Sequence, residues 1–202
     1  YRSSRGLGDV YKRQVFFAYY NVDASNIRNQ SDVGGGGLLD IGCYCVSSSR
    51  WICDREPERV IGLFDKDPSF GTDRLASGIL DFGNGLQASF TCSTQVAPYQ
   101  RINILGTHGR VEIDIPFNAP PDRPCRVSLY PGTHSDQGRF EPAESQVLDM
   151  DICDQYTLQG EAISLAILND EPVPYGLEDA VGNMRTLEAL RQSNESSTWI
   201  VP

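Results

Sequence analysis

Asp40 and Tyr44 stand four residues apart in the stretch GGGGLLDIGCYCV, residues 34–46. On a helix that spacing puts a carboxylate and a phenol on one face, where both can point into a cleft. A phenol exchanges protons near neutrality only when a cation or a low-dielectric site tunes it away from its ordinary pKa of about 10. Gly42, between the two, would let a ligand approach the backbone closely. From spacing alone, a structural role for the pair outweighs a catalytic one. Upstream, Asn26 and Arg28 could reach substrate hydroxyls, or could anchor a loop through a salt bridge.

Gly34 to Gly37 precede the expected helix, where exposed N–H groups attract anions. They are not followed by the Lys-Ser/Thr of a P-loop, and they do not form G-x-G-x-x-G after a strand. Two readings stay open: close packing of the helix start against other backbone, or a place beside a cofactor, lined by Gly36 and Gly37. The six cysteines show no C-x2-C spacing. Cys43 and Cys45 would point about 200° apart on a helix and could not share a metal. The cysteines therefore read as small core hydrophobes in a reducing cytosol, and no metal site is expected. His108 in a hairpin turn and His134 in a polar loop do not read as a ligand pair. Asp149, Asp151 and Asp154 read as a solvated acidic segment.

The elements that must position these residues follow from periodicity. VFFAYYN, from Val15, has the aromatic and β-branched content of a strand, and a polar loop through Asp23, Asn26 and Arg28 follows. Leu38, Ile41 and Cys45 fall at helical spacing, with Asp54 and Pro57 suited to the helix end. Leu86, Ala88, Phe90 and Cys92 alternate with polar residues, and Gly83-Asn84-Gly85 turns the chain back from residues 75–82. Ile102 and Ile104, then Val111, Ile113 and Ile115, flank the turn at Thr107-His108-Gly109, and Cys125, Val127 and Leu129 repeat the alternation. This predicts a largely antiparallel sheet covered on one side, leaving a polar face with Gln87, Ser89, Thr91, Arg110 and Glu112. Leu158, Ala162, Leu165 and Ala166 form one helical stripe, and Leu177, Val181, Met184, Leu187 and Leu190 another. Glu178 and Asp179 suit the first turn of that last helix. The predicted class is α+β: an open, largely antiparallel sheet with helices packed on one face.

The 202 residues carry 17 Lys+Arg against 27 Asp+Glu, a net charge of −10, and no basic run exceeds Lys12-Arg13. That argues against a nucleic-acid partner. No apolar stretch approaches the roughly 20 residues needed to span a bilayer, so no membrane partner is expected. Residues 1–14, YRSSRGLGDVYKRQ, lack apolar period and resemble the translated adapter read-through found at the ends of genes assembled from environmental DNA. They are set aside as non-native, with a natural chain expected to begin further upstream; a genuine disordered arm is the alternative. Residues 15–202 are then one substrate-binding and oligomerisation domain.

GGGGLLDIGCYCV, with Asn26-Ile27-Arg28 before it, resembles the C-terminal domain of the glucose-fructose oxidoreductase and inositol dehydrogenase (Gfo/Idh/MocA) family, especially its sugar and dihydrodiol dehydrogenase branch. Gly71-Thr72-Asp73 with ASGILDFGNG, then INILGTHGRVEIDIPFN, then VPYGLEDAVGNMRTLEAL continue the resemblance in order, from Val15 to Pro202. The resemblance implies that Tyr44 occupies the acid/base position and exchanges the hydroxyl proton as hydride moves, with Asp40 orienting or polarising the same group. It implies NAD or NADP as cofactor, bound mainly by a Rossmann domain, and a sugar, polyol or diol as substrate. The family's lysine in a Glu-Lys-Pro segment and its nucleotide fingerprint belong upstream of Val15 and do not occur in this chain, so the isolated chain is expected to be inactive. The competing class is a noncatalytic module that assembles through its exposed sheet face, which the family often packs against another subunit. A strand, G-x-G-x-x-G and a Glu-Lys-Pro lysine in the upstream reading frame would distinguish the enzyme from the module.

Overall fold

The computed structural model describes residues 9–202. Of the N-terminal segment read as non-native, residues 1–8 lie outside the described residues. Nine strands, β1 (Val10–Tyr20), β2 (Arg59–Lys66), β3 (Asp73–Asp81), β4 (Gln87–Ser93), β5 (Gln95–Gly106), β6 (Gly109–Asp114), β7 (Cys125–His134), β8 (Phe140–Pro142) and β9 (Gln146–Met150), form the sheet. Its order is β2-β3-β4-β1-β5-β6-β7-β8, with β9 also paired to β7. Every pair is antiparallel except β1 with β4. The predicted hairpins are present, joined as expected through residues 83–85 and 107–108.

The first strand begins at Val10, five residues before the expected start at Val15. Residues 12–14 pair with both β4 and β5. The signal is masked because an arginine occupies an inward position: Arg13 is buried, donating to Cys53 Sγ at 2.7 Å and to the Ile52 carbonyl at 2.9 Å.

The chain then runs through a π-helical turn, Leu38–Gly42, into α1 (Cys43–Cys53), which ends at Asp54 in the left-handed region. Later come α2 (Gln155–Asn169) and α3 (Leu177–Ser196). Val15 and Phe17 of β1, Ala76 and Leu80 of β3, Ala88, Phe90 and Cys92 of β4, and Ile102 of β5 pack under Ile41, Cys45 and Val46 and under Leu187 and Leu190 of α3. Burial of each large apolar side chain there stabilises the fold by about 1.5–3 kcal/mol. Gly62 lets α3 sit close on the sheet, because a Cβ would meet the Leu190 carbonyl oxygen at 2.8 Å.

The cover differs from expectation. α1 and α3 provide it, whereas α2 is largely exposed: Leu158 and Leu165 stand outside and only Ala166 of that helix is buried. Its apolar stripe exists but is covered only at Ala166. In α3 only the C-terminal half of the stripe is buried, with Leu177, Val181 and Met184 exposed. The open sheet face is also less polar than predicted, since Leu63, Leu75 and Ile79 stand exposed beside the Ser77–Thr91 hydroxyl pair. Cys45, Cys53 and Cys92 are buried as expected; Cys153 is exposed, and Cys43 and Cys125 are half-buried. Among the described residues no helix is long and apolar enough to cross a membrane.

Candidate active site

The site is built where β1, the polar loop and the start of α1 converge. Asp40 sits in the π-helical turn and Tyr44 one turn on, so a wider turn replaces the regular helix predicted at this point. Asp73 holds the start of this turn. Its Oδ2 accepts the Leu38 N–H at 2.6 Å, in the manner of a helix cap. Gly36 makes room for it: at φ +127° the backbone favours glycine, and a Cβ there would overlap the Asp73 carboxylate. Burial pushes the Asp73 carboxyl above the usual range, against the lowering effect of its backbone donors.

Asp40 is clamped from two sides. Arg28 Nε donates to Oδ1 at 2.7 Å, and the Tyr19 hydroxyl donates to Oδ2 at 2.5 Å. Both readings of Arg28 thus meet in one contact: it is a salt-bridge anchor, and it lies at the site with its outer NH2 groups still able to donate. Burial, and then the bond to Asp40, raise the Tyr19 phenol far above its ordinary pKa, so it stays a donor. Asn26 acts locally, since its side-chain oxygen accepts the Arg28 N–H at 3.1 Å and caps the short 3-10 turn Ile27–Asn29.

Tyr44 is 49% exposed and makes no hydrogen bond among the described residues, so its hydroxyl is free for a ligand. Its ring meets Phe17 edge-on, centroids 5.8 Å apart. Burial raises the Tyr44 phenol, with smaller raising effects from Cys43, Tyr156 and Asp40, while Arg28 opposes them. The cation that tunes a tyrosine downward is therefore present as Arg28 but outweighed. No direct hydrogen bond joins Tyr44 to Asp40; they share the field of Arg28 instead. With the Asp40 side chain 18% exposed, neither group is sealed from ligand.

Tyr44 and the edge of the Asp40 carboxylate lie at the surface. Two well-defined concavities lie elsewhere, one on the open sheet face along Phe16, Ser77, Ile79 and Thr91, the other of about 420 Å³ between the glycine loop, Lys66, Asp73 and α3. Neither contains Tyr44 or Asp40. For Gly36 the structure supplies a packing reason in Asp73; Gly37 faces Asp73 and Thr94. Among the described residues no group of three or more metal-ligating side chains gathers. His134 ends strand β7 rather than lying in a loop, and its ring stands 5.5 Å from that of His108, closer than the sequence suggests. Asp154 is likewise no mere solvated acid, since it caps α2 through the Tyr156 N–H.

Sequence reasoning passes over Tyr19, because VFFAYY reads as strand. A signal was available: Tyr19 shares the inward face of β1 with Val15 and Phe17, and a phenol on a core face needs a polar partner.

An open mixed sheet carries a carboxylate and an unbonded phenol at the head of a glycine-led helix, and comparison with known proteins places the chain in a family. Residues 3–112 match the GFO/IDH/MocA C-terminal domain, and the chain belongs to that family. It is 37% identical over 197 residues to an uncharacterized oxidoreductase of Rhizobium meliloti, covering 98% of this chain and 58% of the relative. It is 29% identical over 200 residues to D-xylose 1-dehydrogenase (NADP(+)) 2 of Haloferax volcanii, covering 96% of this chain and 57% of that protein. The solved aldose-aldose oxidoreductase of Caulobacter crescentus shares the fold, with a TM-score of 0.80 and 23% identity over all of this chain and 58% of its own. The chain thus spans somewhat more than half the length of these relatives.

Proposed function

We propose that this chain forms the substrate side of the active site in an NAD(P)-dependent oxidoreductase acting on a sugar or related polyol or diol by hydride transfer. The observation that carries the reading is the convergence of a clamped carboxylate, Asp40, and an unbonded phenol, Tyr44, on one open surface in a chain whose relatives are named as dehydrogenases. NADP is the cofactor in the name of the Haloferax relative. Hydride exchange at the substrate carbon is the chemistry a nicotinamide supplies when bound. The residues present fit the substrate side of that reaction, and Asp73 packs into the space beside Gly36.

Asp40 binds the substrate hydroxyl. As an ionised carboxylate it has acceptor capacity beyond its two existing donors. Arg28 adds donors to a neighbouring oxygen, and Asn26 holds the loop that presents Arg28. Tyr44 handles the proton. Its raised pKa keeps it protonated at neutral pH, ready to give a proton to an alkoxide developing during carbonyl reduction. In the oxidative direction it must first lose that proton, which calls for a cation stronger in effect than Arg28. The family's lysine would meet this need from a part of the polypeptide outside this sequence, and the chain by itself should not turn over substrate. Assembly into homo-oligomers through the open sheet face completes the proposal.

The test joins this chain to the nucleotide-binding portion of the Rhizobium meliloti relative and follows NAD(P)-dependent oxidation of aldoses. Tyr44→Phe should lower kcat by about 100-fold or more, as for other positioned proton-transfer groups. An unchanged kcat would remove Tyr44 from the reaction, and turnover by the 202-residue chain alone would overturn the division of labour.

A further inference from the structure

Phe117 follows the end of β6, two residues after a backbone turn at Ile115. Ile115 takes φ +50°, and it is the one β-branched residue among the non-glycine residues of positive φ in the described chain. A β-branched side chain resists the left-handed region, so such a conformation persists only where surrounding contacts impose it, and it gathers at functional sites. Here the contacts are visible. Gln100 Oε1 accepts from both the Phe117 and the Asn118 N–H groups, each at 3.1 Å. The result is a ring stacked on Phe17, centroids 5.0 Å apart and planes within 16°. Phe117 also reaches Tyr44, with centroids 5.8 Å apart. Phe17 is 3% exposed, so the half-buried Phe117 is the outer member of the stack, and its ring lies beside that of the exposed Tyr44.

A phenyl face carries partial negative charge. It attracts the slightly positive C–H bonds that a pyranose ring sets in a row on one side, whereas an acyclic polyol has no fixed row to offer and loses chain entropy on docking. We propose that Phe117 is a specificity-determining residue that selects cyclic aldoses over open-chain polyols; this rests on the proposed function of the Tyr44 site and narrows its substrate class. Gln100 and the strained turn at Ile115 set the ring before ligand arrives.

The experiment titrates the fusion of this chain to the nucleotide-binding portion of the Rhizobium meliloti relative, with NADP present, with D-xylose and with xylitol, following ring signals of Tyr44 and Phe117 by NMR. D-xylose should bind about 3- to 10-fold more tightly than xylitol, the preference expected of one aromatic contact. Phe117→Ala should bring D-xylose down to the level of xylitol and leave xylitol unchanged, and Phe117→Tyr should restore the preference. Thermal unfolding checks each variant, and where Phe117→Ala does not fold, Phe117→Leu takes its place, keeping apolar bulk without the π face. Equal binding of the two ligands by the parent fusion, or an equal loss of both in Phe117→Ala, overturns the selectivity while leaving the Tyr44 site standing. Neither ligand disturbing Tyr44 overturns the site itself, and the selectivity with it.

Discussion

Asp40 shows how much of a site lies in the partners of its named residue. A carboxylate with one donor on each oxygen has a fixed plane, and a substrate hydroxyl must approach along the lone pairs that remain. Tyr19 is the less obvious of the two donors. Tyr19→Phe leaves Oδ2 unpaired in a half-buried setting and should destabilise the chain at neutral pH by about 1 kcal/mol, read from urea unfolding. The pH dependence has a definite sign. A phenol whose folded pKa is raised contributes stability that is whole below its unfolded pKa of about 10 and declines as pH climbs toward the folded value. Tyr19→Phe should abolish that part of the alkaline decline; an unaltered alkaline limb would mean that Tyr19 is not held as described. In the sequence, Asp40 and Tyr44 were visible because i, i+4 spacing is local. Tyr19 and Phe117 were not, because the contacts that bring them to the site join residues 21 and 73 positions distant in the chain.

At the scale of elements, the hairpins could be read in advance because alternation and turn glycines are properties of short segments. The covering layer could not. α2 and α3 carry similar stripes, and only a facing surface decides which is buried. The π-helical turn escaped for a related reason: its first N–H, at Leu38, is held by Asp73 of β3, 35 residues away. That grip is testable through its proton. The Asp73 carboxyl is raised by burial, so its contribution to stability is whole at pH below the unfolded value of about 4 and falls as pH rises through the folded value. Asp73→Asn keeps an acceptor for the Leu38 N–H and removes the titration. It should flatten stability between the ordinary carboxylate range and neutrality, whereas Asp73→Ala should cost about 1–2 kcal/mol throughout by leaving the turn uncapped. Parallel stability profiles for the parent and Asp73→Asn would show that the burial of this carboxyl does not control the turn.

For the whole molecule the telling feature is an asymmetry of faces. One side of the sheet is closed by α1 and α3, while the other combines Leu63, 75% exposed, and Leu75 and Ile79 with a charged strip in which Arg101 pairs with Glu112 and Asp114. A net charge of −10 disfavours casual association, so any self-assembly on this face needs specific pairing rather than general stickiness. The strip offers it: with both signs present, a two-fold related copy can set Arg101 and Arg110 against the acids of its partner while the apolar patch is covered. We expect the chain to sediment as a homo-oligomer, with Leu63→Glu and Ile79→Glu each shifting it toward monomer, and with salt weakening the assembly through the charged strip. Neither substitution touches the Asp40–Tyr44 surface, so a monomeric Ile79→Glu variant should still bind D-xylose if the sheet face serves assembly alone. A parent chain that stays monomeric at every concentration would leave the apolar patch without this partner and remove the homo-oligomer from the proposed function.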